Sequence, residues 1–180
     1  MTSQAVGCLA AGSVERDAAL ADFDAARAEW EDAFGRVPDG ALMYLKPGDD
    51  YSLGGLLVHV NWVLAHYHRV LTGMVRARFE QIGSQDPAGA EEIALKGARR
   101  GLTPEERRKS LEEMGRLHAS VSSAVRKLNP DDWSRKAPVV YGEGEDPYPT
   151  SAEDVVGWLR EHYREHVEQS AALIDEWKGA

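Results

Sequence analysis

The run LGGLLVHVNWVLAHYHRVLTGMV, Leu53 to Val75, limits the fold more than any other stretch. Its apolar residues follow a helical period, and only Asn61, Arg69 and the histidines at 59, 66 and 68 interrupt them. A helix apolar on nearly every side is covered by other helices, and Ser52 stands where its N-cap belongs. No stretch of the chain reaches the ~18 apolar residues that would span a bilayer.

Three partner helices can be read around it. The first runs from about Ser13 to Gly35, with Leu20, Phe23, Trp30 and Phe34 on one stripe. Another opens with TPEE, where Thr103, Pro104 and Glu106 form a capping box. Leu111, Met114, Leu117, Val121, Val125 and Leu128 are its stripe, and Asn129-Pro130 stops it. The last opens with TSAE, read as a box from Thr150 to Glu153, and runs to about Trp177. No repeat, alternating strand pattern or glycine-rich phosphate loop is found. The expected class is all-α, a four-helix bundle. Connections of roughly sixteen to twenty or more residues exclude tight up-down turns and point to crossovers or site covers.

With 180 residues, 43 % of them hydrophobic, residues 13–180 suit one domain after a flexible tail over 1–12. The net charge of −9 argues against a nucleic-acid partner, which needs clustered Lys and Arg. Cys8 is the sole cysteine, so no intramolecular disulfide or multi-cysteine zinc site can form, which fits a reducing cytosol. The start, MTSQAVGCLAAG, lacks the basic region of a secretory leader, so a cytoplasmic location is expected.

His162 and His166, four residues apart in EHYREHVEQ, fall at the edge of the apolar arc formed by Val155, Val156, Leu159, Tyr163 and Val167. Two inward imidazoles at that spacing can hold one ion, or can be ordinary hydrogen-bonded core residues. HYREH also fits the H-x-x-E-H pattern of inverted zinc peptidases, but too little chain follows His166 for their downstream ligand. A third ligand must come from earlier in the chain. His59 and His66 share one face of the second helix, and helical rise alone slightly favours His66. His68 points away, and His118 sits inside its helix's stripe as a satisfied core residue.

SLGGLLVHV around His59, DDW at Asp131 to Trp133, TSAEDVVGWL and His162-x-x-x-His166 together resemble the DinB/YfiT-like superfamily, in order and spacing across nearly the whole chain. The resemblance implies a four-helix bundle with a long crossover between helices two and three. It also implies a three-histidine site for a divalent ion, nickel or zinc, made by His59, His162 and His166, so it selects His59 over His66. Characterised relatives include thiol S-transferases using bacillithiol or mycothiol and a mycothiol-dependent isomerase. The implied function is therefore a metal-dependent thiol S-transferase acting on small electrophiles. Non-catalytic metal binding or small-molecule sequestration, a metal-dependent hydrolase and a metal-free interaction module are the alternatives. Relatives pair through bundle faces, so a homodimer is expected. The loop Tyr141 to Pro149 either lends Glu143, Glu145 or Asp146 as a base or is a solvated acidic loop.

Overall fold

A computed structural model of the chain describes the backbone of residues 3–179 and side chains from Ser13 to Gly179. The tail expected over residues 1–12, with Cys8, lies outside the described side chains. Among the described residues five α-helices follow one another: α1 (Ser3–Gly35), α2 (Gly55–Arg76), α3 (Ala90–Arg100), α4 (Pro104–Arg126) and α5 (Ala152–Gly179). Helices α1, α2, α4 and α5 are the bundle, with α1 packed on α5 and α2 on α4. The long crossover joins α2 to α4.

The apolar run becomes α2, and its lack of a polar face has a direct cause: α3, α4 and α5 all pack against it. Its Leu56, Leu57, Val60 and Leu64 meet Phe23, Trp30 and Phe34 of α1 and Met114, Val121, Val155 and Leu159 in one core. Asn61 faces α4 and donates to the Ser110 carbonyl at 2.9 Å. Among the described residues, no helix is long and apolar enough to cross a membrane.

Helix α3 is an addition to the sequence reading, which leaves this segment as connection. Its sequence, AEEIALKGARR, buries only Ala98, so its apolar stripe is too thin to stand out. It packs tightly on the start of α2. A Cβ on Gly55 would lie 1.7 Å from the Ala98 carbonyl oxygen, so glycine is required at that point of the GG pair. Ser52 completes the join: its hydroxyl donates to Ala98 O at 2.8 Å and accepts the Gly55 N–H at 3.0 Å.

Helix α4 begins as the sequence predicts. Glu106 N–H donates to the Thr103 hydroxyl and Thr103 N–H to the Glu106 carboxylate. At α5 the predicted box is one residue off. Ser151 and Asp154 form it, with Ser151 N–H donating to Asp154 at 2.7 Å and Asp154 N–H to the Ser151 hydroxyl at 3.1 Å. Thr150 is otherwise engaged, in a short antiparallel pair of strands, β1 (Ala137–Val139) and β2 (Tyr148–Thr150). The DDW segment leads into this region. Trp133 is buried, and its carbonyl accepts the Glu153 N–H in the first turn of α5 at 3.2 Å.

Leaving α2, the chain reverses through Arg78 and Phe79, both at positive φ. Ile82 then bridges to β1: its N–H donates to Pro138 O and its carbonyl accepts the Val140 N–H. From there the connection runs back along α2. This brings Gln85 against Gly73 and Asp86 against His66 and Arg69.

Candidate metal centre

Two elements supply the site. His59 sits one turn into α2, and His162 and His166 occupy consecutive turns of α5, where i and i+4 side chains share a face. The structure brings these three together. Nε2 of His162 lies 3.0 Å from Nε2 of His59 and 3.1 Å from Nε2 of His166. One nitrogen from each ring can be chosen so that all lie within 4.8 Å of one another.

Proton bookkeeping shows what such a cluster lacks. His166 Nδ1 is 2.7 Å from Gln169 Oε1, so Nδ1 carries the proton and Nε2 a lone pair. The His162 Nε2 atom faces both other rings, yet it offers at most one proton. At most one of the two nitrogen–nitrogen contacts can therefore be an ordinary hydrogen bond, whereas a cation between the nitrogens would satisfy both. Added protons are disfavoured. Burial, then the neighbouring His166 charge, pushes His59 down to about 4, and burial with the charges of both partners pushes His162 to about 3. His166 is also lowered by burial, with the Gln169 bond opposing. Three neutral imidazoles are the form that binds metal, and ligand nitrogens ~2.0–2.1 Å from one ion stand ~2.9–3.4 Å apart. The residues fit a divalent ion.

Aromatic rings and Gln169 hold these imidazoles in place. Tyr51 stacks on His59 at 4.4 Å between ring centres, and Trp30 stands 6.0 Å from His166. Tyr51 thus does the work of a ring wall from just outside α2. The cluster is not sealed: a cleft of about 420 Å³ reaches it, lined in part by His59, Trp62, His66, Trp158 and His162.

His66 is not drawn into the cluster. Its Nδ1 pairs with Asp86, and Asp86 also accepts from the Arg69 guanidinium. Its Nε2 has no hydrogen-bond partner among the described residues, and the ring borders the same cleft. Axial level alone misjudged His66 because the stagger of α2 against α5 is a packing result. The Asp86 contact leaves no sequence signal, since it comes from the returning crossover. His68 faces away, in a groove between α2 and α4. His118 is a core residue with both nitrogens engaged, Nε2 with Asp24 at 2.7 Å and Nδ1 with the Tyr163 hydroxyl at 3.3 Å. From the Tyr141–Pro149 loop, Tyr141, Glu145, Asp146 and Tyr148 border an adjoining hollow.

The sequence model of the DinB superfamily matches residues 22–170, most of the chain. The chain belongs to the DinB superfamily. That DinB match takes in α2, the crossover and the α5 pair together, so it covers every histidine of the cluster. No curated protein matches this DinB chain.

Proposed function

We propose that this DinB protein is a metal-dependent enzyme that transfers a low-molecular-weight thiol, of the mycothiol or bacillithiol type, to small electrophiles. His59, His162 and His166 hold one divalent ion, nickel or zinc. The observation that carries the reading is the convergence of three neutral imidazoles, whose facing nitrogens cannot all be paired by hydrogen bonds, beside an open cleft. A purely structural site would be closed by a fourth protein ligand. A bound ion supplies an open position at which a thiol gives up its proton near neutral pH.

The chain's own residues supply the rest. Asp86 pairs with Nδ1 of His66, so in the neutral ring Nε2 is the nitrogen left to accept a proton, on a side chain that borders the cleft. Arg69 holds Asp86 in place from the other side. Trp62 and Trp158 give the cleft apolar walls that limit water at the reacting atoms.

Titration of tag-free protein with nickel and zinc, followed by turnover of a generic electrophile with a panel of small thiols, tests this. The expected result is one ion per chain and thiol-dependent turnover. Ion binding without turnover of any thiol would leave a sequestering protein, and hydrolysis without thiol a metal-dependent hydrolase. His59→Ala should lose most of the affinity and His66→Ala should keep it while losing turnover. Loss of the ion in His66→Ala alone would put the wrong histidine in the ligand set.

A further inference from the structure

Beside the histidine cleft lies a second hollow, of about 480 Å³, and the two share Tyr67 and Trp158 as a common wall. Tyr141 and Tyr148 complete its aromatic lining, with Glu145 and Asp146 at the rim. The four rings form a chain of inclined planes. Tyr67 is 6.5 Å from Tyr141 at 66° and 5.7 Å from Trp158 at 47°, and Trp158 is 6.1 Å from Tyr148 at 48°. Such angles turn several ring faces toward one space, where a parallel stack would hide them. The rings are also held. The Tyr141 hydroxyl bonds the Thr150 hydroxyl at 2.9 Å, and Tyr148 pairs with Val139 across the strands.

The charges around this wall share one sign. Glu145 and Asp146 border the outer hollow, Glu161 and Glu165 the inner cleft, and no Lys or Arg lines either. Glu145, Asp146 and Glu165 have no ion-pair partner among the described residues; Glu161 has its neighbour Arg160. The protein does not fill the ring faces with a cation of its own, since the cation–π contact among the described residues is Arg135 over Phe79, elsewhere. Aromatic faces carry negative potential and attract a poorly hydrated cation, and alkylated ammonium groups gain most from several faces at once. An anion would meet the carboxylates of Glu145 and Asp146, with Glu161 and Glu165 beyond the shared wall, and a neutral alkyl group would leave their field unused.

We propose that this hollow binds the alkylated ammonium group of a small-molecule substrate, so that the remainder of that molecule extends past Tyr67 and Trp158 toward the histidines. The inference takes the histidine cleft as the reaction site, as proposed above, and adds the class of molecule that enters it.

Calorimetric titration with choline and with its uncharged isostere 3,3-dimethylbutan-1-ol tests the proposal, on metal-free and nickel-loaded protein. Choline should bind at least about 10-fold more tightly than the isostere in both forms, because the hollow does not include the three histidines. Trp158→Leu and Tyr67→Leu should each weaken choline by about 10-fold or more. Glu145→Gln with Asp146→Asn, two exposed positions that leave the core untouched, should weaken choline severalfold and flatten its salt dependence. Equal binding of choline and the isostere would reduce the hollow to an apolar pocket, and absence of choline binding in folded protein would end the proposal. Nickel titration of the same variants keeps the two readings apart. Choline binding without nickel binding sinks the metal reading alone, and the converse sinks this one alone.

Discussion

His118 and His166 are both buried, at 2 % and 6 % exposure, yet their ring nitrogens meet opposite surroundings. His118 donates from Nε2 to Asp24 and accepts at Nδ1 from Tyr163, and Phe23 stacks on its ring at 4.0 Å. Every polar atom has a partner of the complementary kind. His166 has one such partner, Gln169, and its other nitrogen faces His162. Burial lowers both rings, but Asp24 opposes that shift at His118, while no carboxylate opposes it in the cluster. What the second nitrogen faces therefore separates a satisfied core histidine from a candidate ligand, and burial alone does not distinguish the two.

The widest separation between the two kinds should come from paired substitutions. His162→Ala should reduce nickel or zinc affinity by more than the ~10- to 100-fold that loss of an orienting neighbour costs, and leave the metal-free fold intact. His118→Ala should do the reverse. It opens a cavity beside Phe23 and strips the Tyr163 hydroxyl of its partner, a destabilisation of about 2–4 kcal/mol, with ion stoichiometry unchanged. Thermal unfolding of both variants with and without nickel reads both effects, and loss of the ion in His118→Ala would break the contrast.

A smaller effect is expected at Gln169. Gln169→Leu releases His166 Nδ1, so the ring no longer has its Nε2 lone pair held toward the other two. Ion affinity should fall ~10- to 100-fold with the fold unchanged, measured by calorimetry. An unchanged affinity would mean that Trp30 packing alone orients the ring.

The mildest test uses pH on metal-stripped protein. His59 and His162 have folded values of about 4 and about 3, below the ordinary ~6.5 of the unfolded chain. Between those limits the unfolded state binds more protons. The stability they contribute is therefore complete above ~pH 6.5 and is lost as pH falls toward 4. The melting temperature of His59→Ala/His162→Ala protein should fall less over that range than that of the parent. Parallel curves would show that other groups govern the acid transition.

Sequence reading succeeded where the cause was local. The Thr103–Glu106 box and the stripe of Leu20, Phe23, Trp30 and Phe34 lie within single helices, and both are in place. It missed α3, which buries little. It missed β1 and β2 because each is three residues long with a central proline, too short for alternation to register. It placed the α5 box on Thr150 because the competing strand pairing of that residue is a contact made after folding. At the cluster, the facing of His162 and His166 was legible from the helical wheel. The choice between His59 and His66 needed the stagger of α2 on α5, and the return of Asp86 to His66 needed the path of the crossover. Neither quantity is encoded in spacing.

All three clustered histidines stand on bundle helices, whereas Asp86, Tyr141, Glu145, Asp146 and Tyr148 come from the connections. The chain therefore divides labour between a frame and its trimmings. Insertions or exchanges in residues 80–89 and 137–150 would alter residues in and around the two hollows while the three histidines keep their positions on α2 and α5. Evolution, or a designer, can change the guest of such a bundle by editing its loops while the helical chassis stays fixed.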